Sequence, residues 1–401
     1  MNNQGYGLAS PTMGFLTFGL ALAGPILAMT PLGIAPLFMA TAILATLAER
    51  IVNRRWPHPP RFAIIFLSLF IIFCAISLIW DINLKDGARK LLDIAAIAVS
   101  ALVLTGLSVG MNVAQRRRLA IALIGGICVG LILLGIETVF DFPLYRAVMG
   151  GSDPKLTDLI ESKRAVDALP LLVWPACLAL AAIELVWLGV FLAVFFTVMC
   201  FMLTASSATL GMVLSLIVFG VAWAATKGMR RLLQAGTLAA FALVIPFSIW
   251  AYDNGAATSS LLKRSAQHRM EIWHFAALRS LDWPLFGHGI NASRDIPNGG
   301  AVSMFLGPDK PIIPLHPHNG FLQIWLELGL TGVTIVAGLL LFLLNATRKW
   351  PVKTQPFALA TYGAGIIIAG LAFGLWQTWW MATLAFSVVA CATIAPEANN
   401  G

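Results

Sequence analysis

The sequence predicts an all-α, polytopic integral membrane protein: a single membrane domain over residues 1–401, with about twelve transmembrane helices and one long external loop. Three observations predict it. Hydrophobic residues make up 59% of the chain and charged residues only 11%, with a mean hydropathy of +0.85, a composition that belongs to the bilayer and excludes a soluble domain. Apolar runs of about 20 residues recur along nearly the whole length, each enough to cross roughly 30 Å of hydrocarbon. Hydrocarbon offers no hydrogen-bond partner to an open backbone, so runs this long must be helices.

In order, the runs fall at 11–29, 31–48, 62–80, 91–110, 119–140, 167–183, 185–203, 208–225, 232–251, 320–346, 356–374 and 376–394. Their orientation follows from the basic residues. With the N-terminus inside, the cytoplasmic connections carry Arg50, Arg54, Arg55 and Arg61, then Arg116, Arg117 and Arg118, then Lys227, Arg230 and Arg231, and finally Arg348, Lys349 and Lys353, half of the 26 Lys and Arg. These connections are short and abut helix ends, where positive charge marks the cytoplasmic side. An even number of spans returns the C-terminus to the cytoplasm, and the net charge of +8 is accounted for by topology, with no nucleic-acid partner implied. No Lys or Arg precedes Arg50, so a cleaved secretory signal is not expected and the first helix should persist. Cys74, Cys128, Cys177, Cys200 and Cys391 all lie within spans without metal spacing and read as small packing residues.

Three external segments remain, at about 81–90, 141–166 and 252–319. The last, between spans nine and ten, holds five of the six histidines together with Lys263, Arg264, Arg269, Arg279, Arg294 and Lys310. In a chain otherwise poor in titratable groups, this cluster marks the working region. Ser259 to Leu281 reads as a helix lying along the membrane interface, with Trp273 at headgroup depth; Pro284 and Gly287-His288-Gly289 then turn the chain. At the end of the loop, His316-Pro317-His318-Asn319-Gly320 runs directly into the tenth span. It places an imidazole where loop becomes membrane helix, a position suited to chemistry on a lipid-borne substrate. Gln323 and Glu327, four apart on one helical face, read either as buried interhelical contacts or as a functional pair.

His318-Asn319, nine residues, Gly329, two residues and Gly332 resembles the pattern of the O-antigen ligase and polymerase family of bacterial membrane glycosyltransferases. Upstream, Arg269-Met270-Glu271-Ile272-Trp273 is similar to that family's Arg-x-x-x-Trp, and Pro284-Leu285-Phe286-Gly287-His288-Gly289 to its Pro-Leu-Phe-Gly-x-Gly turn. Two departures stand out. In Thr204-Ala205-Ser206-Ser207, Ser207 occupies the place where the family often has arginine. Arg164 matches the arginine at the start of the sixth span, yet the usual Asn-Pro-Asn after it is absent.

The resemblance implies a glycan donor on undecaprenyl diphosphate, transferred to a saccharide acceptor, first of all lipid A-core, at the periplasmic face of the bacterial inner membrane. The residue types fit that chemistry. A diphosphate suits planar, bidentate donors, for which Arg269 and Arg164 are the candidates, with Arg264 behind them. Diphosphate is already a good leaving group, so what remains is to activate an acceptor hydroxyl. His318 is the candidate general base; His316 is either an alternative base or a loop residue beside the substrate. Asn319 is placed to cap the tenth helix, whose N-terminal end faces the diphosphate. No Asp-x-Asp pair or His/Glu metal spacing occurs in the external segments, so neither metal nor cofactor is expected. A polymerase using a second lipid-linked repeat as acceptor would need the same residues. The length leaves no room for the extra domain expected of protein-directed relatives. An anion transporter is the reading from another class, but it would call for charged groups near the midplane rather than at one face.

Overall fold

A computed structural model describes residues 10–148, 163–305 and 310–395. Among these residues the chain is helical without a strand, apart from one isolated bridge between Val302 and Pro311. Most of the external segment expected at 141–166 lies outside the described residues. The helices are α1 (Pro11–Met29), α2 (Ile34–Val52), α3 (Arg61–Ser77), α4 (Leu84–Leu107), α5 (Val113–Val139), the short α6 (Pro143–Val148), α7 (Pro170–Ala182), α8 (Val186–Met202), α9 (Ser206–Asp253), α10 (Arg264–Ser280), α11 (Gly320–Ala346), α12 (Gln355–Leu371) and α13 (Thr378–Ile394). Among the described residues, six helical segments are long and apolar enough to cross a membrane: Pro11–Met29, Pro31–Val52, Leu84–Leu107, Val113–Val139, Ser206–Asp253 and Gly320–Lys349. Five further apolar helices are shorter, α3, α7, α8, α12 and α13.

Every apolar run read from the sequence falls on a helix, but α4 starts at Leu84, inside the external segment expected at 81–90, α5 starts at Val113, ahead of the run expected at 119–140, and two interior breaks differ from the expected pattern. The basic connection expected at 226–231 is itself helical, and the break is a single residue, Ala225, at φ −142° and ψ 61°. The chain reverses there. Before the break Gly211 packs on Ile368 and Phe219 on Phe357; after it Arg230 donates to Gln355 and Thr237 bonds Tyr362. The first arm of α9 therefore runs antiparallel to α12 and the second arm parallel to it. The other difference is in α11, which breaks at Gly329.

Large side chains fill the centre between α1, α2, α4, α5, α7, α12 and α13, with Trp174, Trp380, Phe38 and Phe386 fully buried. Small residues let α1 and α5 touch backbone to backbone, Gly24 lying against Gly126 and Gly130, the kind of close approach that holds helices together where lipid removes the hydrophobic drive. A second core joins α3, the later arm of α9 and α11 through Phe70, Phe73, Phe241, Ile324 and Leu328.

The bundle has two chemically different ends. Because α12 and α13 are joined by the short 372–377 loop, Gln355 and Ile394 share the opposite end. At that end Arg116 donates to the carbonyls of Ala392, Thr393 and Ala395, and Arg230 reaches Thr347 and Gln355. The basic connections thus gather away from the 372–377 loop, while His316 and His318 sit at it.

Candidate functional site

The motif regions converge on the first half of α11. Asn319 is its N-cap, its side-chain oxygen accepting from the Leu322 N–H at 3.1 Å, which satisfies one of the donors a helix start leaves open. Ten residues on, Gly329 takes φ +59° and ψ −162° and interrupts the helix. The backbone groups freed by the interruption are taken by the Pro284–Gly289 turn. His288 N–H and Gly289 N–H donate to the carbonyls of Leu326 and Glu327, and Leu330 N–H and Thr331 N–H donate to those of Pro284 and Leu285. Irregular backbone at membrane depth is tolerated where protein satisfies it in this way. The crossing also explains the glycines. A Cβ on Gly287 would stand 2.3 Å from the Glu327 carbonyl carbon, and one on Gly329 would stand 2.6 Å from that of Leu285. The two glycine motifs, with Gly287 and Gly329 42 residues apart in sequence, are one interlocked contact.

α10 covers this crossing from outside. It spans Arg264–Ser280, five residues later at its start than the sequence suggested. Trp273 is buried, and its indole N–H donates to the Pro317 carbonyl at 3.0 Å. Arg269, one helical turn earlier, is thereby presented beside the His316-Pro317-His318 loop. That is a geometric reason for the Arg-x-x-x-Trp spacing.

His318 sits at φ +54°, a left-handed conformation that a residue other than glycine adopts at a cost and that often marks a functional position. Its Nδ1 lies 2.8 Å from the Ala372 carbonyl oxygen. A carbonyl only accepts, so the proton is on Nδ1 and Nε2 carries the free lone pair. Burial lowers the His318 pKa, with Arg269 and His268 adding to the effect and the Ala372 bond opposing it; the ring is neutral at neutral pH. His316, 4.2 Å away between ring centroids, is arranged differently. Its Nδ1 accepts from the His318 N–H at 3.3 Å, and its Nε2 faces the Gln377 amide at 3.1 Å. With Nδ1 accepting, Nε2 holds the proton, so the buried and otherwise unpaired Gln377 oxygen is its natural acceptor once the amide is turned over. Burial, then the neighbouring His318, Arg294 and Arg269, push His316 down to about 3. Both of its ring nitrogens are engaged in holding the loop.

The cations divide. Arg269 is half-buried and within electrostatic reach of both histidines and of Asp167; burial lowers its pKa while Asp167 raises it, and a guanidinium stays charged regardless. Asp167 also accepts from the Ala208 N–H at 2.9 Å, in the first turn of α9, where anions are favoured. A carboxylate therefore docks beside Ser207, the position at which the resemblance led one to look for arginine. Arg164 is half-buried in the helical stretch 163–168, one turn before Asp167. Arg264 is exposed at the first residue of α10, about 140° around the helix from Arg269. In its place the structure brings Arg294 toward His316, a residue the sequence placed in the external loop but gave no role. His268 and His288 each give a ring nitrogen to a backbone carbonyl, those of Ile312 and Arg279, and His274 stacks on Tyr252.

Beneath the histidines, Glu327 is fully buried and accepts from the Asn291 N–H, the Ser293 hydroxyl, the Gln323 amide and the Trp376 indole. Gln323 in turn accepts from the Leu375 N–H at 2.8 Å. The pair four apart on α11 therefore ties together the 287–293 turn and the 372–377 loop, whose Ala372 and Gln377 hold the two histidines.

Residues 191–337 match the O-antigen ligase family. A protein of Rickettsia prowazekii provisionally named polysaccharide ligase is 37% identical over 121 residues, 29% of each chain. Proteins of the same provisional name from Rickettsia typhi and Rickettsia felis are 36% and 35% identical over 123 residues, 30% of each chain. The matched stretch spans less than a third of the length of these curated relatives. The stretch that matches the O-antigen ligase family, residues 191–337, runs from within α8 through the interlocked glycines of α11.

Proposed function

We propose that the chain is a glycosyltransferase that moves a polysaccharide from undecaprenyl diphosphate to a saccharide acceptor, O-antigen to lipid A-core in the first instance. The observation that carries the reading is His318: a neutral imidazole whose Nδ1 is fixed on the Ala372 carbonyl, leaving Nε2 to take a proton beside a half-buried arginine. In the reaction, His318 Nε2 accepts the proton of the acceptor hydroxyl as that oxygen bonds to the anomeric carbon. The bond from that carbon to the diphosphate breaks, and lipid diphosphate leaves as the anion. Arg269 and Arg164 meet the charge developing on it, with Arg294 closer at hand than Arg264. The Rickettsia relatives named as polysaccharide ligases favour transfer onto an acceptor glycan over polymerisation. The surface polysaccharide of a deletion strain tests this on a gel. Free lipid-linked polymer beside bare lipopolysaccharide supports a ligase, core carrying one repeat means a polymerase, and an unchanged pattern removes both.

Twelve spans in the inner membrane, both termini cytoplasmic and residues 252–319 periplasmic, complete the reading. The separation of basic connections from the histidine end supports it. A cysteine at Leu261, 92% exposed, should be labelled by a membrane-impermeant reagent added from outside, while one at Val352, 70% exposed, should be spared. The reverse pattern would invert the assignment of both faces.

Arg269→Lys should retain at most a small part of the transfer rate, because an ammonium keeps the charge and loses the fork that grips two phosphate oxygens. Arg269→Ala should weaken binding of the lipid-linked donor further, by about tenfold or more. Equal donor affinity in parent and both variants would take Arg269 out of the clamp.

A further inference from the structure

The turn that follows the glycine crossing is pinned on both sides of one free side chain. Asn291 enters it at φ +65° and donates its N–H to Glu327 at 2.7 Å, and the Ser293 hydroxyl donates to the other oxygen of that carboxylate. Beyond them Asp295 accepts from the Asn83 amide at 3.1 Å. Ala292, Ser293 and Ile296 are buried. Arg294, in the middle, is the exposed residue of 291–296, and among the described residues no hydrogen bond or ion pair ends on its guanidinium. Arg279, by contrast, is paired with Asp282 at 3.0 Å. A rigid base under an unengaged guanidinium is the arrangement of a group held ready for a ligand. The same Glu327 takes the indole of Trp376, and Gln377, next in the chain, faces His316. The charges of Arg294 and Arg269 both act on the His316 ring, whose centroid is 4.2 Å from that of His318. Two guanidiniums from separate elements, α10 and the 291–296 turn, therefore bear on one pair of imidazoles.

We propose that Arg294 is a specificity-determining residue of the donor site: it grips one phosphate while Arg269 grips the other, so that the site takes a lipid diphosphate in preference to a lipid monophosphate. The inference rests on the glycan-transfer reading and deepens it. A guanidinium fork matches two oxygens of a single phosphate, so Arg269 alone is satisfied by a monophosphate, and a second phosphate needs a second fork. Arg294 can provide it without giving up a bond to the protein. The reaction calls for that fork as well. When the bond from the anomeric carbon to the phosphate oxygen breaks, the electron pair stays on the oxygen and the hydroxyl proton goes to His318. The departing lipid diphosphate then carries one negative charge more than it did in the bound donor. Two cations, one at each phosphate, spread and stabilise that added charge.

The test uses the purified full-length protein in detergent and two glycan-free probes, undecaprenyl diphosphate and undecaprenyl phosphate. Each is titrated and its binding read by native mass spectrometry. The parent should hold the diphosphate about tenfold or more tighter than the monophosphate, the difference made by one charge-assisted fork. Arg294→Ala should lose about tenfold in diphosphate affinity, down to the level of the monophosphate, and change monophosphate binding by less than about threefold. Arg294→Lys should fall between the two, since it keeps the charge and loses the fork. Lys310→Ala, which removes another exposed cation of the external loop, should change neither affinity. Because the Arg294 side chain bonds to nothing in the fold, its replacement does not threaten folding. An Arg294→Ala protein that keeps the parent's preference, or that weakens both probes alike, overturns the assignment. So does a parent that transfers glycan yet holds the two lipids equally. All three results leave the transfer reading standing. A parent that shows the preference but transfers no glycan overturns the transfer reading and leaves Arg294 a diphosphate ligand.

Discussion

His318→Ala should abolish glycan transfer by the purified protein, a loss of about 10²–10⁴-fold, the range a positioned general base supplies, while folding and binding of the lipid-linked donor should be retained. The side chain is partly exposed in a loop and its hydrogen bond is to the Ala372 carbonyl, so its removal costs roughly 0.5–1.5 kcal/mol of stability. The pH profile is the sharper measurement. A base must be neutral, and burial with the neighbouring Arg269 holds the His318 pKa below its ordinary value. Transfer should therefore persist as pH falls through about 6.5, where a solvated imidazole would already be half protonated, and fail only at lower pH. His316→Ala should be milder, because its ring holds the His318 N–H and Gln377 and has no nitrogen to spare. Near-parental activity in His318→Ala with loss in His316→Ala would move the base to the other imidazole. Activity in both variants would leave the acceptor activated by another group.

How much of this was legible beforehand depended on the length scale of the signal. Hydropathy over windows of about 20 residues locates every helical run because burial in lipid acts on whole segments. It cannot register a one-residue event, so it misses the reversal at Ala225 and the interruption at Gly329. The glycines themselves were visible as a pattern, but their cause was not: Gly287 and Gly329 are required because two backbones cross, and that contact exists only in three dimensions. The same holds for the loop between α12 and α13. Ala372 acts through its carbonyl and would do so with almost any side chain, so nothing in its identity announces it. The partner of Trp273 was hidden for a related reason. An indole in an amphipathic stretch suits a headgroup belt, but nothing in the sequence says that its N–H is held by the Pro317 carbonyl. Asp167 carried a readable hint, an acid at the start of a span, but its partner Ala208 lies across the bundle at the start of α9.

Glu327→Gln should lower both stability and transfer, although it preserves the shape of the side chain. The two carboxylate oxygens divide four donors between them: one takes the Ser293 hydroxyl and the Gln323 amide, the other the Asn291 N–H and the Trp376 indole. A glutamine puts an NH₂ in place of one oxygen, so two donors face a donor. Each unmet buried donor costs about 1–3 kcal/mol, and replacing the second oxygen leaves the Asn291 backbone and an indole, neither of which can rearrange. Replacing the first is cheaper, since Ser293 can rotate its hydroxyl and Gln323 can turn its amide. Turning Gln323, however, removes the acceptor from the Leu375 N–H, and Leu375 belongs to the loop whose Ala372 carbonyl sets the His318 tautomer. The less costly repair therefore transmits the damage to the proposed base. Thermal unfolding of the purified variant should occur at lower temperature, transfer should fall by about tenfold or more, and the acid limb of its pH profile should move back toward about 6.5 as the His318 environment loosens. That last shift separates a positioning residue from a merely stabilising one, which would lower the amount of folded enzyme and leave the profile of the remainder in place. A Glu327→Gln protein with the parent's unfolding temperature, rate and pH profile would show that the carboxylate does not hold the histidine loop.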